Sequence, residues 1–150
     1  YFCDFTIAAE HAIFGQNGPR VGSPASGAIV SYLTRVIGAK RAREMWMLCR
    51  RYTAQQALEM GLVNAVVPMA KLDEEVDKWC GELLALSPTC LRILKASFVE
   101  EFGSLLGQGD QLRRYVTTRE FWEEEQQEGA RAFLEKRPPD FSRFRRRRSK

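Results

Sequence analysis

The sequence feature that most constrains the fold is that the chain has few strands and many amphipathic helices. Apolar and polar residues alternate as in short strands within residues 3–14, and residues 62–67 form one further short strand that ends at Pro68. Two or three strands cannot both form a stable sheet and cover so many helices. We therefore expect an α/β protein whose sheet is completed by a segment upstream of Tyr1.

Apolar residues at helical spacing predict several helices after the strands. The predicted helices span residues 31–37, 40–50, 53–60, 71–86 and 88–101, with one or two more within 111–136. Thr53 and Gln56 have the spacing of a capping box, and Ser87-Pro88 is typical of a helix N-terminus. The side chains that we expect on buried faces are Ala42, Met45, Trp46, Cys49, Leu72, Val76, Trp79, Cys80, Leu83, Leu91, Leu94 and Phe98.

A loop rich in glycine and proline separates the first strands from the first helix. Residues 15–27 include four glycines and two prolines, so several positions are free to adopt a positive φ. A loop of this length inside a compact domain is typical of a functional segment, although a long surface excursion would have the same composition.

The composition excludes several classes of protein. Hydrophobic residues make up 45% of the 150 residues and charged residues 28%, which is typical of a globular chain and not of a disordered one. No apolar stretch approaches the roughly 20 residues that span a bilayer, and no secretory segment is evident. The four cysteines lack the CxxC spacing of zinc and thioredoxin sites, so we expect reduced thiols in apolar surroundings and no metal. These features predict a cytoplasmic protein without a membrane span.

The positive net charge is concentrated at the C-terminus. Residues 141–150 carry six cations and no acid, and the other 17 basic residues are balanced by 19 acidic ones. A block of like charge repels itself, so we expect a solvated and disordered tail. Binding of the tail to a polyanion is the alternative, but no motif elsewhere supports a nucleic-acid partner.

Residues 14–23, with the sequence FGQNGPRVGS, form the most distinctive motif of the chain. Further distinctive stretches lie at residues 3–9, 40–46, 57–68, 87–89 and 128–141. In order and spacing, these stretches resemble the crotonase, or enoyl-CoA hydratase/isomerase, superfamily, and within it the 1,4-dihydroxy-2-naphthoyl-CoA synthases. The likeness extends to about residue 144.

The resemblance implies a crotonase-like ββα spiral fold, of which this chain is the C-terminal half. Residues 1–68 would belong to the spiral core, residues 69–141 to a helical trimerisation region, and residues 142–150 to the basic tail. The glycine-rich oxyanion segment of the superfamily would precede Tyr1, so the chain alone would be inactive. The resemblance also implies an acyl-CoA substrate, no tightly bound cofactor, and a homotrimer or homohexamer.

The residue at position 18 distinguishes members of this superfamily. Its hydratases have a glutamate there that handles water, whereas the glycine of this chain cannot move a proton. The naphthoyl-CoA synthases also have glycine, and in many of them bicarbonate acts as the base beside residues that match Gln16, Gly18 and Trp46. Ser23 matches a serine that contacts the aromatic substrate. The resemblance thus implies a lyase that closes a ring on o-succinylbenzoyl-CoA in menaquinone biosynthesis.

Two departures from the synthase pattern leave other activities open. Ala25 stands where the synthases have an aspartate, and Phe121 stands where they have a tyrosine, with Tyr115 six residues away. Residues 23–28 are more similar to hydrolases that open the ring of alicyclic oxo-acyl-CoA thioesters. An alicyclic oxo-acyl-CoA hydrolase, a paralogue similar to enoyl-CoA isomerases or hydratases, and a non-catalytic assembly protein are therefore alternatives.

Phe133 and Lys136 match an aromatic residue and a lysine that contact the adenine and phosphates of CoA in the superfamily, often across a subunit boundary. Three residues apart on a helix, they share a face. Each candidate also has a structural interpretation. Trp46 would be a core aromatic, Gln16 and Ser23 would stabilise the loop, and Phe133 would pack beside a solvated Lys136.

Overall fold

The computed structural model describes residues 1–103 and 119–144. These residues include four short strands, β1 (Ile7–Ala9), β2 (Ile13–Gly15), β3 (Arg51–Thr53) and β4 (Ala65–Val67). The helices are α1 (Ala28–Ile37), α2 (Ala39–Leu48), α3 (Ala54–Glu59), α4 (Leu72–Leu84), α5 (Pro88–Gly103) and α6 (Gln126–Leu134). Three 3₁₀ turns lie at Gly18–Arg20, Met69–Lys71 and Ser142–Phe144, and a π-helical turn at Phe121–Glu125 leads into α6.

The strands form two separate two-stranded sheets. β1 is parallel to β4, with Ala8 opposite Val66, and β2 is antiparallel to β3, with Phe14 opposite Tyr52. The predicted strand region 3–14 therefore contains two short strands, while the strand predicted at 62–67 is confirmed over its last three residues. The β2–β3 pair brings the start of the glycine-rich loop beside Arg51, which follows the end of α2 at Leu48 by three residues.

The core lies between α1, α2 and α3. Leu33 and Met45 are the largest fully buried side chains, and the predicted α2 face is confirmed, since Ala42, Met45, Trp46 and Cys49 are all buried. α3 begins with the predicted capping box, in which Thr53 Oγ1 accepts a hydrogen bond from the Gln56 amide at 3.2 Å and Gln56 Oε1 accepts one from the Thr53 amide at 2.9 Å. Local sequence signals therefore define this part of the fold well.

α4 and α5 are less buried than their sequence patterns predict. No residue of α4 is buried, Val76 and Cys80 are exposed, and on α5 Leu94 and Phe98 are exposed by 55% and 65%. The expectation that these faces are buried is wrong for this chain, because a two-stranded sheet has too little area to cover them. Trp79 of α4 does contact Phe5, edge to face, with ring centroids 5.5 Å apart.

Three further expectations concern the cysteines, the absence of a membrane span, and the structure of residues 111–118 and of the tail. All four cysteines are free as predicted, but Cys3, Cys80 and Cys90 are exposed, because they lie on the least covered segments of the chain. Within residues 1–103 and 119–144, no helix has the length and apolar character needed to cross a membrane. The helix predicted for residues 111–118 and the tail residues 145–150 lie outside the described residues.

Candidate functional site

The glycine-rich loop is held by its own backbone. The Gly18 carbonyl oxygen accepts hydrogen bonds from the amides of Val21, at 3.1 Å, and Ser23, at 3.0 Å. The Asn17 carbonyl oxygen accepts another from the Arg20 amide at 3.1 Å. These bonds fold residues 17–23 into a tight turn, so its side chains are presented from a fixed backbone.

Gly18 lies against both Ser23 and Trp46. A Cβ atom placed on Gly18 would lie 3.0 Å from the Ser23 carbonyl oxygen and 3.8 Å from Cζ3 of the Trp46 ring. The structure thus brings together three of the residues that the sequence identified, Gly18, Ser23 and Trp46. A carboxylate side chain at position 18 would require the Ser23 carbonyl to move by a few tenths of an ångström.

Trp46 carries a buried hydrogen-bond donor that no atom of the described residues accepts. The residue is 9% exposed, and its Nε1 has no hydrogen-bond partner among the described residues. An unsatisfied buried N–H costs about 1–3 kcal/mol, so such groups are uncommon in native proteins. The indole N–H would therefore be stabilised by an acceptor that the described residues do not supply.

The loop contains no side chain that could act as a carboxylate base. The sequence has no aspartate or glutamate between Glu10 and Glu44. Ala25 is exposed, and its amide donates to the Ser23 carbonyl oxygen at 3.1 Å. The loop can position a substrate, but proton transfer beside Gly18 requires a group that the loop does not supply.

Gln16 lines a neighbouring cavity rather than the contact between Gly18 and Trp46. That cavity has a volume of about 290 Å³, and its walls include Phe14, Gln16, Asn17 and Arg51. Arg51 reaches it because β3 pairs with β2 in a register that places Arg51 opposite Gly15. Gln16 thus lies beside the other candidates in sequence but faces a separate cavity.

α6 docks on the loop through two glycines. A Cβ atom on Gly129 would lie 2.4 Å from the Val21 carbonyl carbon, and one on Gly22 would lie 2.8 Å from Cα of Gln126. Only the absence of side chains at both positions allows this approach. Because Phe133 follows Gly129 by four residues, the same face of α6 carries Phe133 towards the loop.

Phe133 lines a second cavity, of about 420 Å³, between the loop and the end of α6. Its walls include Asn17, Arg20, Arg51, Arg137 and Pro139, and Phe133 remains 63% exposed. Asn17 and Arg51 belong to both cavities, so the two are neighbours. Asn17, Arg20 and Arg51 were not predicted from the sequence, because only the docking of α6 and the strand register place them together.

Lys136 has a structural role at the end of α6. Its φ of 55° is left-handed, and its amide donates to the Phe133 carbonyl oxygen while the Arg137 amide donates to that of Ala132. This is the Schellman arrangement, in which glycine is the preferred residue at the left-handed position. Lys136 is exposed and does not line the cavity beside Phe133, whereas Arg137 does.

Arg137 is held by two glutamates. Its guanidinium donates to both carboxylate oxygens of Glu128, at 2.7 and 3.1 Å, and to Glu135 at 2.6 Å. The bonds to Glu128, and then those to Glu135, raise the pKa of Arg137 above its ordinary value. Arg137 therefore shapes the cavity but contributes little free positive charge to it.

Phe121, one of the two residues that depart from the synthase pattern, has an aromatic neighbour. Phe121 lies in the π-helical turn before α6 and packs edge to face on Trp122, with ring centroids 5.1 Å apart. A phenyl ring can neither donate nor accept a proton, so Phe121 cannot replace a tyrosine. Tyr115 lies outside the described residues.

The fold and the loop together define a member of a known enzyme family. A family model described as enoyl-CoA hydratase/isomerase matches residues 1–144. The chain therefore belongs to the enoyl-CoA hydratase/isomerase family, and the predicted crotonase-like α/β fold is confirmed.

Solved structures agree with this assignment. A methylmalonyl-CoA decarboxylase in complex with 2-nitronate-propionyl-CoA is 28% identical, with a TM-score of 0.79 over 92% of this chain and 54% of that one. An enoyl-CoA hydratase from Mycobacterium avium subsp. paratuberculosis is also 28% identical, with a TM-score of 0.74 over 93% and 56%. One from Mycobacterium tuberculosis is 31% identical, with a TM-score of 0.63 over 69% and 45%. The chain thus spans about half the length of the solved proteins that it matches.

Proposed function

We propose that this protein acts on an acyl-CoA thioester through an enolate. The observation that carries the proposal is the contact of Gly18 with Ser23 and Trp46 in a loop that has no carboxylate. A two-glutamate hydration cannot be performed there, because no side chain at position 18 can hold or move a proton. Ring closure on o-succinylbenzoyl-CoA, as in 1,4-dihydroxy-2-naphthoyl-CoA synthases, fits this arrangement best.

The buried Trp46 N–H supports an anion beside the loop. Trp46 Nε1 is a donor that suits bicarbonate, and Gln16 offers an amide donor in the neighbouring cavity. When bound there, bicarbonate would supply the general base that the loop lacks. The residues of the chain would hold the anion and orient the substrate, with Ser23 as a hydroxyl donor at the exposed side of the turn.

The test is turnover of o-succinylbenzoyl-CoA by the natural protein, measured as naphthoyl product with and without added bicarbonate. We expect activity that rises with bicarbonate and a Trp46→Phe variant that has lost this dependence. Trp79→Phe is the matched control, because Trp79 Nε1 donates to Glu75 at 2.8 Å on a distant helix. Absence of naphthoyl product in saturating bicarbonate would contradict the proposal.

A ring-opening hydrolase is the second candidate, and Ala25 and Phe121 favour it. Neither residue can supply the acid–base groups of the synthase pattern, and no carboxylate stands near Ala25 within the loop. Hydrolysis would use the same thioester pocket with water as the nucleophile. Incubating the natural protein with alicyclic oxo-acyl-CoA thioesters and measuring the ring-opened acid tests this reading, and a complete absence of product would remove it.

We further propose that the working protein is a homotrimer or homohexamer that lies in the cytoplasm. The family assignment and the exposed apolar residues of α4 and α5 support assembly. Sedimentation equilibrium of the natural protein tests the oligomer, and a monomer at micromolar concentration would contradict it.

A further inference from the structure

Glu128 has an enclosed carboxylate. Only 11% of its side chain is exposed, whereas the side chain of Glu135, the other acidic partner of Arg137, is 51% exposed. Carboxylates are rarely enclosed to this degree unless they are paired and hydrogen-bonded. The partners of Glu128 therefore indicate what its burial achieves.

The Glu128 carboxylate holds both ends of a short segment that follows α6. It accepts two hydrogen bonds from the Arg137 guanidinium, at 2.7 and 3.1 Å, and one from the Asp140 amide at 2.9 Å. The two prolines Pro138 and Pro139 lie between these partners. One side chain thus closes residues 137–140, which we call the proline segment, against α6.

The proline segment is stiff as well as tied at both ends. Each proline ring fixes φ at about −65°. The Pro138 carbonyl oxygen also accepts a hydrogen bond from the Arg137 guanidinium at 3.1 Å. Pro138 and Pro139 both line the cavity beside Phe133. The position of this wall of the cavity therefore depends on the bonds that Glu128 makes.

The end of α6 returns the chain to Glu128. The left-handed φ of Lys136 turns the backbone, and the Arg137 amide donates to the Ala132 carbonyl oxygen at 3.0 Å. Glu128 lies one helical turn before Ala132 and on the same face of the helix. The Arg137 side chain therefore reaches back along α6 to the carboxylate.

We propose that Glu128 is a positioning residue for acyl-CoA binding, which holds Pro138 and Pro139 where they form a wall of the cavity beside Phe133. Glu128 does not itself line that cavity, so it acts through the proline segment and does not touch the ligand. This inference rests on the proposed function, since a role in substrate binding requires that the protein binds a CoA thioester.

The first test is hydrogen exchange of the Asp140 amide, measured by NMR on the protein without a ligand. We expect Glu128→Ala to accelerate exchange about tenfold, because the amide loses its acceptor. Glu135→Ala is the matched control, because it also removes a carboxylate from Arg137 but takes no acceptor from Asp140. Its Asp140 amide should exchange at the unchanged rate. Equal exchange in Glu128→Ala and the unsubstituted protein would overturn the inference.

The second test is steady-state kinetics with o-succinylbenzoyl-CoA. We expect Glu128→Ala to raise KM about tenfold with kcat unchanged, because a displaced wall weakens binding before and during the reaction alike. A purely structural residue would instead lower the folded fraction, which reduces the apparent kcat and leaves KM as it is. Glu135→Ala should change neither constant. An unchanged KM in folded Glu128→Ala would overturn the inference but leave the activity standing.

Calorimetric titration with CoA separates the inference from the proposed function. If o-succinylbenzoyl-CoA is not turned over, CoA binding that is about tenfold weaker in Glu128→Ala would still support the role of Glu128. Unchanged CoA affinity would overturn it. Circular dichroism confirms that each variant is folded. If Glu128→Ala does not fold, Glu128→Gln replaces it, because its amide nitrogen cannot accept from Arg137, and the same outcomes apply.

Discussion

At the scale of single residues, the site combines a close backbone contact with an unsatisfied donor. The missing side chain of Gly18 lets the Ser23 carbonyl and the Trp46 ring lie close to the Gly18 backbone, and Trp46 Nε1 is buried without an acceptor among the described residues. A chain optimised only for stability would avoid the second feature. The buried donor beside the loop is therefore the best residue-level support for an anion or an oxygen-rich ligand there.

Glu44 gives a pH-dependent prediction. The Arg50 guanidinium lowers the pKa of the Glu44 carboxyl below its ordinary value of 4.5. A lowered folded-state pKa means that the pair stabilises the protein above the unfolded-state value and that this contribution is lost as pH falls through the folded value. We expect Arg50→Met to return the Glu44 pKa towards 4.5 in a carboxyl-carbon NMR titration.

The same NMR titration contains its own control. The Lys78 ammonium lowers the pKa of Glu75 on α4, and that pair does not involve Arg50. The Glu75 titration should therefore be identical in both proteins. A Glu44 pKa that does not move in Arg50→Met would contradict the ion pair.

Two substitutions of Lys136 distinguish the effect of its backbone conformation from the effect of its charge. The left-handed conformation at Lys136 destabilises the folded state by about 1–2 kcal/mol for any residue with a Cβ atom. Glycine avoids this strain, but it loses more conformational entropy on folding, so the net stabilisation is smaller. We expect Lys136→Gly to raise the free energy of unfolding by up to about 1 kcal/mol in urea, whereas Lys136→Ala should not. Both variants lose the ammonium, so a loss of CoA binding common to the two would report the charge. Equal stability of the two variants would contradict the Schellman assignment.

At the scale of elements, the site depends on how α6 meets the glycine-rich loop. Gly129 and Gly22 let the two backbones approach closely, and that approach places Phe133 beside Arg20. The cavity beside Phe133 is therefore a product of helix docking and does not belong to any one element.

Substituting Gly129 tests the docking directly. A Cβ atom there would lie 2.4 Å from the Val21 carbonyl carbon, so Gly129→Ala should lower the free energy of unfolding by about 1–3 kcal/mol. Gly81→Ala on α4 is the matched control, because a Cβ atom on Gly81 would have no atom of the described residues within 4 Å. This variant should raise the free energy of unfolding by about 0.5–1 kcal/mol. Urea unfolding of both variants measures the difference. Equal effects in the two would show that α6 does not dock on Val21.

Sequence reasoning succeeded where the signal is local. The Thr53 and Gln56 capping box and the α2 face around Met45 depend on residues within one or two turns, and both are confirmed. It failed for α4 and α5, because burial of an apolar face depends on a partner that no local pattern specifies. Arg20 and Arg51 were missed for the same reason, since strand register and helix docking bring them together.

At the scale of the whole molecule, the described chain has more apolar surface than its sheets cover. Phe2 and Phe5 near the N-terminus and Leu94 and Phe98 on α5 are exposed, and a cavity of about 590 Å³ lies between these two segments. Lys95 spans that cavity to Asp4, with both carboxylate oxygens at 2.6 Å. Exposed apolar surface of this kind is typical of a face that contacts further protein.

The crystal structure of the natural protein with a non-hydrolysable acyl-CoA analogue tests the central claim most directly. The account predicts that the thioester carbonyl lies beside Gln16 and Gly18 and that the nucleotide end of CoA lies against Phe133. An analogue bound away from residues 14–23 would contradict it.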